Sequence, residues 1–260
     1  MEIRLDGRSA VVTGASKGLG LAMGRAFAEA GADVALLARG GEALEAARSA
    51  LAGSARGRVL AIRCDVASAD DIAAAYAAAM AGFGKIDILV NNAGRSATGA
   101  FETLTDADWQ ADLDLKLFAA IRFCRLALPQ MKERRWGRII NVLNIGAKAP
   151  RARSAPTSVS RAAGMALTKV LAGEGAPYNV LVNALLVGII VTDQIERRHR
   201  AEATNLSLED YIAKAGAAVP LGRMGRAEEF ASIACLLASD AGGFVTGTAI
   251  NVDGGMSPVV

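Results

Sequence analysis

The run Thr13-Gly14-Ala15-Ser16-Lys17-Gly18-Leu19-Gly20 leaves an apolar stretch and enters a stretch of helical period. Glycines in that place allow a tight turn and bring backbone close to a pyrophosphate, whose charge attracts the free N–H groups of a helix start. The context predicts a dinucleotide site built by Gly14, Ser16, Lys17, Gly18, Leu19 and Gly20. The next apolar run ends Leu36-Leu37-Ala38-Arg39, with no acid to bond a ribose 2′-hydroxyl. Arg39 suits a 2′-phosphate instead, and Lys17 adds a second charge beside it, so NADP is expected in preference to NAD. Proton chemistry has fewer candidates. The chain holds 3 Tyr, 1 His and 3 Cys, so a mid-range acid or base must come from few side chains.

Such a loop needs a strand before it and a helix after it. Apolar runs at 9–13, 33–38, 59–63, 86–91, 138–143 and 180–185 alternate with Ala-rich stretches of helical period, the pattern of βα units. Strands covered by helices on both faces read as continuous Val/Ile/Leu runs, which accounts for the 52% hydrophobic content. A helix at 227–239 and a strand at 248–252 complete the pattern. The expectation is one α/β domain over 1–260. The stretch 189–221 lacks strand or helix rhythm and is read as a substrate lid.

Composition excludes several classes. With 21% charged residues in 260, disorder and collagen-like repetition are ruled out. Mean hydropathy is +0.30, yet no apolar run reaches the length of a bilayer span, so no membrane association is expected. Scattered charges summing to +3 give no reason to expect nucleic acid. Cys64, Cys124 and Cys235 sit singly in apolar stretches and read as buried thiols, with no metal site or disulfide. The N-terminus shows no secretory pattern, and a cytoplasmic location is expected.

The chain resembles the short-chain dehydrogenase/reductase family over essentially its whole length. The glycine loop carries the resemblance together with Cys64-Asp65-Val66, Asn91-Asn92-Ala93-Gly94, Val180-Leu181-Val182-Asn183-Ala184 and Val252-Asp253-Gly254-Gly255. It implies a Rossmann-type doubly wound parallel sheet of about seven strands. It further implies that Asp65 and Val66 meet the adenine, and that Asn92, Ala93 and Gly94 line the cofactor cleft. Gly188, Ile190 and Thr192 follow the sixth strand where the family holds carboxamide or phosphate, although Val187 replaces the usual Pro. A homotetramer or homodimer packed through helices around 108–131 and 155–173 is also implied.

The catalytic positions depart from that family. There a Tyr carries the proton, a Lys four residues on lowers its pKa and holds the nicotinamide ribose, a Ser orients the carbonyl, and an Asn holds a relay water. Aligned on the strand and on Ala162-Ala163-Gly164, the corresponding residues here are Thr157, Arg161, Asn144 and Lys116. The set resembles an atypical branch with Thr-x-x-x-Arg in place of Tyr-x-x-x-Lys. A Thr hydroxyl is far less acidic than a phenol, whose reference pKa is about 10, so Thr157 is not expected to be the proton's source. Arg161 can hold ribose hydroxyls but stays charged. Asn144 can still donate to a carbonyl. Lys116 has two readings: a base pushed toward neutrality by burial, or a structural cation bonding backbone carbonyls near a helix bend.

Other candidates are Tyr211, on a lid helix or folded over the nicotinamide, and Tyr76 and Tyr178, read as structural. His199 lies in Glu196-Arg197-Arg198-His199-Arg200, either a solvated helix or a receptor for an anionic substrate. Arg151 and Arg153, at the entrance before Thr157, carry the same two readings. Three functions follow: an NADP(H)-dependent oxidoreductase acting on a small-molecule carbonyl or alcohol, an NADP(H)-binding protein without turnover, and a lyase similar to halohydrin dehalogenases.

Overall fold

The computed structural model describes residues 3–202 and 205–260, so positions 203 and 204 of the expected lid, and the first two of the expected domain, lie outside the described residues. In chain order the elements are β1 (Ser9–Thr13), α1 (Gly18–Glu29), β2 (Asp33–Ala38), α2 (Gly41–Ala52), β3 (Val59–Arg63), α3 (Ala69–Phe83), β4 (Ile88–Asn91), β5 (Thr98–Gly99), α4 (Asp106–Leu113), α5 (Ala119–Glu133), β6 (Gly137–Asn144), β7 (Ala155–Pro156), α6 (Thr157–Gly175), β8 (Val180–Val187), α7 (Asp193–Ala201), α8 (Leu208–Gly216), α9 (Ala227–Ala238) and β9 (Ala249–Val252).

Seven strands form one parallel sheet in the order β3-β2-β1-β4-β6-β8-β9. The order reverses direction between β1 and β4, the place where a parallel sheet opens a crevice at its carboxyl edge. There Val12 pairs with Val90, so the glycine loop and Asn91-Asn92 leave the sheet side by side. Two cores flank the sheet, one including Phe27, Leu44 and Phe230, the other including Ile72, Phe123 and Met131. The doubly wound α/β expectation holds.

Boundaries differ where polar contacts decide them. β4 begins at Ile88 rather than at position 86. Asp87, which precedes it, accepts the Ser9 N–H at 3.1 Å and pairs with Lys85 at 2.9 Å. β6 and β8 pair over eight residues each, from Gly137 with Val180 to Asn144 with Val187. The antiparallel pair β5 and β7 joins Thr98 to Pro156 and Gly99 to Ala155; two-residue strands are too short to give a sequence rhythm. The stretch 189–221 is not irregular, for it contains α7 and α8. The helix expected around 108–131 is interrupted by a π-helical turn, Asp114–Phe118, in which the Ala119 N–H bonds the Asp114 carbonyl.

Candidate active site

The glycine loop is shaped for close approach. Gly14 has φ +64°, and a Cβ there would lie 2.9 Å from the Ala93 Cα; at Gly20 it would lie 2.4 Å from the Gly14 carbonyl oxygen. No side chain caps the start of α1, so its first-turn N–H groups are open to an anion. Asn92 fastens the loop, donating from Nδ2 to the carbonyls of Thr13 at 2.9 Å and Gly14 at 3.2 Å. The Thr13 hydroxyl accepts the N–H groups of Asn92 and Ala93 at 2.9 and 3.0 Å. This cradle fits the phosphates of a dinucleotide.

Two adjoining clefts share Gly14, Lys17, Ala93, Gly94 and Arg95. The larger, about 1280 Å³, is lined also by Ser16, Arg39, Asp65 and Val66. The smaller, about 350 Å³, is lined by Gly18, Leu19, Gly20, Asn92, Asn144, Thr157, Arg161, Gly188, Ile190 and Thr192. Of the residues assigned from sequence to the cofactor and tetrad positions, Lys116 alone lines neither cleft.

Lys116 lies directly behind them. It belongs to the π-helical turn, one helical turn beyond Asp112, and both side chains are 1% exposed. Its Nζ pairs with the Asp112 carboxylate and donates to Thr157 Oγ1 at 2.7 Å. Ser160 donates to the other Asp112 oxygen at 2.6 Å. The carbonyl-bonding alternative for Lys116 is therefore corrected: its partners among the described residues are a carboxylate and a hydroxyl. Burial pushes the ammonium down to about 8; Asp112 opposes the fall, while Arg161 and Arg95 add to it.

Thr157 joins this cluster to the smaller cleft. Its hydroxyl donates to the Ala97 carbonyl at 2.7 Å and accepts the Ala97 N–H at 2.9 Å, beside the β5–β7 pair. Arg161, one turn on, donates from Nη1 to the Val142 carbonyl, and its Nε is buried without a partner among the described residues. A Cβ at Gly94 would fall 2.5 Å from its Nη2, so the glycine makes room for the guanidinium. Burial pushes Arg161 down to about 10, which leaves it cationic at neutral pH. Asn144 Oδ1 is likewise buried without a partner among the described residues. Sequence reading missed Asp112, Ser160 and the Ala97 backbone. The signal present was a Lys four residues after an Asp on one helix, a spacing that puts both on one face.

The other candidates lie elsewhere. Tyr211 donates to Glu202 at 2.9 Å and packs edge-on against His199, whose Nε2 meets the Leu206 carbonyl at 2.8 Å. The arginines of α7 are paired, Arg197 with Asp193, Arg198 with Glu202 and Arg200 with Glu196, which favours the solvated-helix reading. Tyr76 is buried, its phenol pushed up to about 12 by desolvation, and Tyr178 packs under Lys132. Arg151 and Arg153 are exposed on the loop before β7 and line neither cleft. The three cysteines are buried free thiols.

A family model described as enoyl-(acyl carrier protein) reductase, of the short-chain dehydrogenase type, matches residues 14–257. The chain belongs to the short-chain dehydrogenase/reductase family. Within it, the 3-oxoacyl-(acyl-carrier-protein) reductase of Aquifex aeolicus is 32% identical over 256 residues, covering 98% of this chain and 100% of the relative. The L-sorbose reductase of Gluconobacter frateurii, solved with NADPH and L-sorbose, superimposes with a TM-score of 0.95 at 33% identity, over 100% of both chains. A short chain oxidoreductase from Pseudomonas aeruginosa PAO1, solved with NADPH bound and described as containing an atypical catalytic center, gives 0.91 at 37% identity over 99% of both chains. Among short-chain dehydrogenase/reductases, then, this chain is similar both to reductases of carbonyl compounds and to an enzyme whose centre departs from the usual one.

Proposed function

We propose that the protein is an NADP(H)-dependent oxidoreductase interconverting a carbonyl and an alcohol on a small molecule, with Lys116 as the proton source acting through Thr157. The observation that carries the reading is the 2.7 Å contact from Lys116 Nζ to Thr157 Oγ1, at the wall of the smaller cleft. The α1 N-terminus and glycine loop hold the pyrophosphate, and Arg39 with Lys17 hold the 2′-phosphate. Asp65 and Val66 meet the adenine. Asn92, Ala93 and Gly94 floor the cleft, Gly188, Ile190 and Thr192 flank the nicotinamide, and Arg161 holds its ribose. When bound, NADPH supplies a hydride to the carbonyl carbon and leaves as NADP⁺, so the carbonyl oxygen must take one proton to become an alcohol.

Asn144 orients that oxygen by donating from its amide. Thr157 is a poor acid on its own, but a hydroxyl that receives a proton from Lys116 as it passes its own onward never becomes an alkoxide. The weak acidity of Thr is thereby bypassed, and the Lys116 ammonium supplies the driving force. The segment 189–221 acts as the lid over the smaller cleft, which α7 borders through Asp193, Gln194 and Arg198. Exposed apolar residues on α5 and α6 are covered by further copies in a homodimer or homotetramer, and buried free thiols support a cytoplasmic location.

The reading without turnover draws on one observation, the two Ala97 bonds that occupy the Thr157 hydroxyl. The intact glycine cradle speaks against the lyase reading. A panel of ketones, aldehydes and quinones with NADPH decides between the first two. Lys116→Met is expected to lower kcat by about 100-fold while NADPH affinity persists. The acid form of Lys116 is needed for reduction, so reductive kcat falls as pH rises through about 8, and alcohol oxidation rises over the same range. A wild-type protein that is stabilised by NADPH yet consumes none across the panel overturns the oxidoreductase reading.

A further inference from the structure

Lys116 is a long, flexible side chain whose use as a proton source requires its Nζ to be held at one place. Two buried groups from two different helices fix it, Asp112 directly and Ser160 through Asp112. Asp112, at the end of α4, presents one carboxylate oxygen to Lys116, and Ser160, on α6, donates to the other at 2.6 Å. Ser160 is fixed in turn, since its hydroxyl also lies 3.0 Å from the Thr157 carbonyl. Asp112 and Ser160 are 3% and 2% exposed. Asp112 Oδ1 lies 3.4 Å from Thr157 Oγ1, so carboxylate, ammonium and hydroxyl form one triangle behind the cleft.

We propose that Asp112 and Ser160 are positioning residues, fixing Lys116 on Thr157 and setting the pH range over which it delivers a proton. The inference rests on the reading of Lys116 as the proton source. Its geometry follows from the helices: α4 and the π-helical turn place Asp112 and Lys116 on one face, and α6 brings Thr157 to the carboxylate oxygen that pairs with Lys116 and Ser160 to the other. The groups facing Lys116 are Asp112 from its own helix, Thr157 and Arg161 from α6, and Arg95 from the loop after β4. Asp112 is the one anion among them. Arg161 and Arg95 repel the ammonium, so Asp112 keeps Lys116 charged enough to be an acid at neutral pH. Ser160 keeps that carboxylate from turning away from it.

The test compares wild type, Asp112→Asn, Ser160→Ala and Lys116→Met. The first readout needs neither cofactor nor turnover: the titration of Lys116 in protein labelled with ¹³C at lysine Cε, the resonance assigned by its loss in Lys116→Met. Asp112→Asn is expected to lower its midpoint by about one pH unit or more. Ser160→Ala, which keeps the charge and removes one hydrogen bond, is expected to lower it by less and serves if Asp112→Asn does not fold. In the second readout, Asp112→Asn moves the alkaline limb of reductive kcat downward by the same amount and lowers kcat by about tenfold or more, with NADPH affinity and substrate KM little changed. An unshifted Lys116 titration in Asp112→Asn or Ser160→Ala overturns the positioning role. Wild-type kcat and pH profile in Lys116→Met, with the titration still shifted in Asp112→Asn, overturns the proton-source reading instead.

Discussion

Arg39 stands exposed at the end of β2, on the wall of the larger cleft, and makes no hydrogen bond or ion pair with the described residues. An unpaired guanidinium beside a phosphate cradle is a planar, permanently charged donor set with nothing to occupy it. Lys17 is exposed on the same cleft, but as a compact ammonium it offers charge without the paired geometry. Discrimination between NADP and NAD should therefore rest chiefly on Arg39. Charge-assisted bonds of this kind contribute about 1.5–3 kcal/mol, so Arg39→Ala is expected to weaken NADPH binding by roughly 10- to 100-fold. NADH binding should change little, as the lost partner is the 2′-phosphate. Fluorescence titration of both cofactors checks it, and equal losses for the two would remove Arg39 from the phosphate site.

At the scale of elements, the smaller cleft depends on how the start of α6 is tied to the loop after β4. Thr157 is the tie: its hydroxyl holds both backbone groups of Ala97, and its own N–H reaches the Ala97 carbonyl at 3.3 Å. Thr157→Val keeps the shape and loses the hydroxyl. The Ala97 amide then lacks its acceptor and should exchange with solvent markedly faster, while core amides of β1 and β4 remain protected. Reductive kcat should fall by about 100-fold through loss of the relay, with NADPH still bound. Hydrogen exchange and steady-state kinetics on one preparation check both, and unchanged turnover would remove Thr157 from the proton path.

The same elements show what was legible in the chain. The glycine loop, Arg39 and the buried strands could be read because each is a local pattern with a local cause. The triangle of Asp112, Lys116 and Thr157 could not, since it is assembled by a π-helical turn and by packing between helices 41 residues apart in sequence at their bonded residues. α7 could be read only from its charges, as a solvated helix over 196–200: Ile195 is its one large apolar residue, so it has no apolar period. It carries three i,i+4 ion pairs instead, Asp193 with Arg197, Glu196 with Arg200 and Arg198 with Glu202, of the kind that supports helices weakly.

The whole molecule leaves a face uncovered. Val159 and Val170 on α6 are 50% and 58% exposed, and Ala163 and Ala166 fill the positions between them on the same stripe. Leu126 on the neighbouring α5 is 38% exposed, and Phe118 just before it 39%. Small residues flanked by larger apolar ones let a second pair of helices approach closely, and a stable pair of subunits covers roughly 800 Å² on each. Val170→Glu places a charge in that stripe, where pairing across a twofold axis would bring two such charges together. It is expected to lower the mass measured by light scattering from a dimer or tetramer toward a smaller species, and to lower the melting temperature. NADPH binding should survive, because Val170 lines neither cleft. An unchanged mass would remove this stripe from any subunit contact.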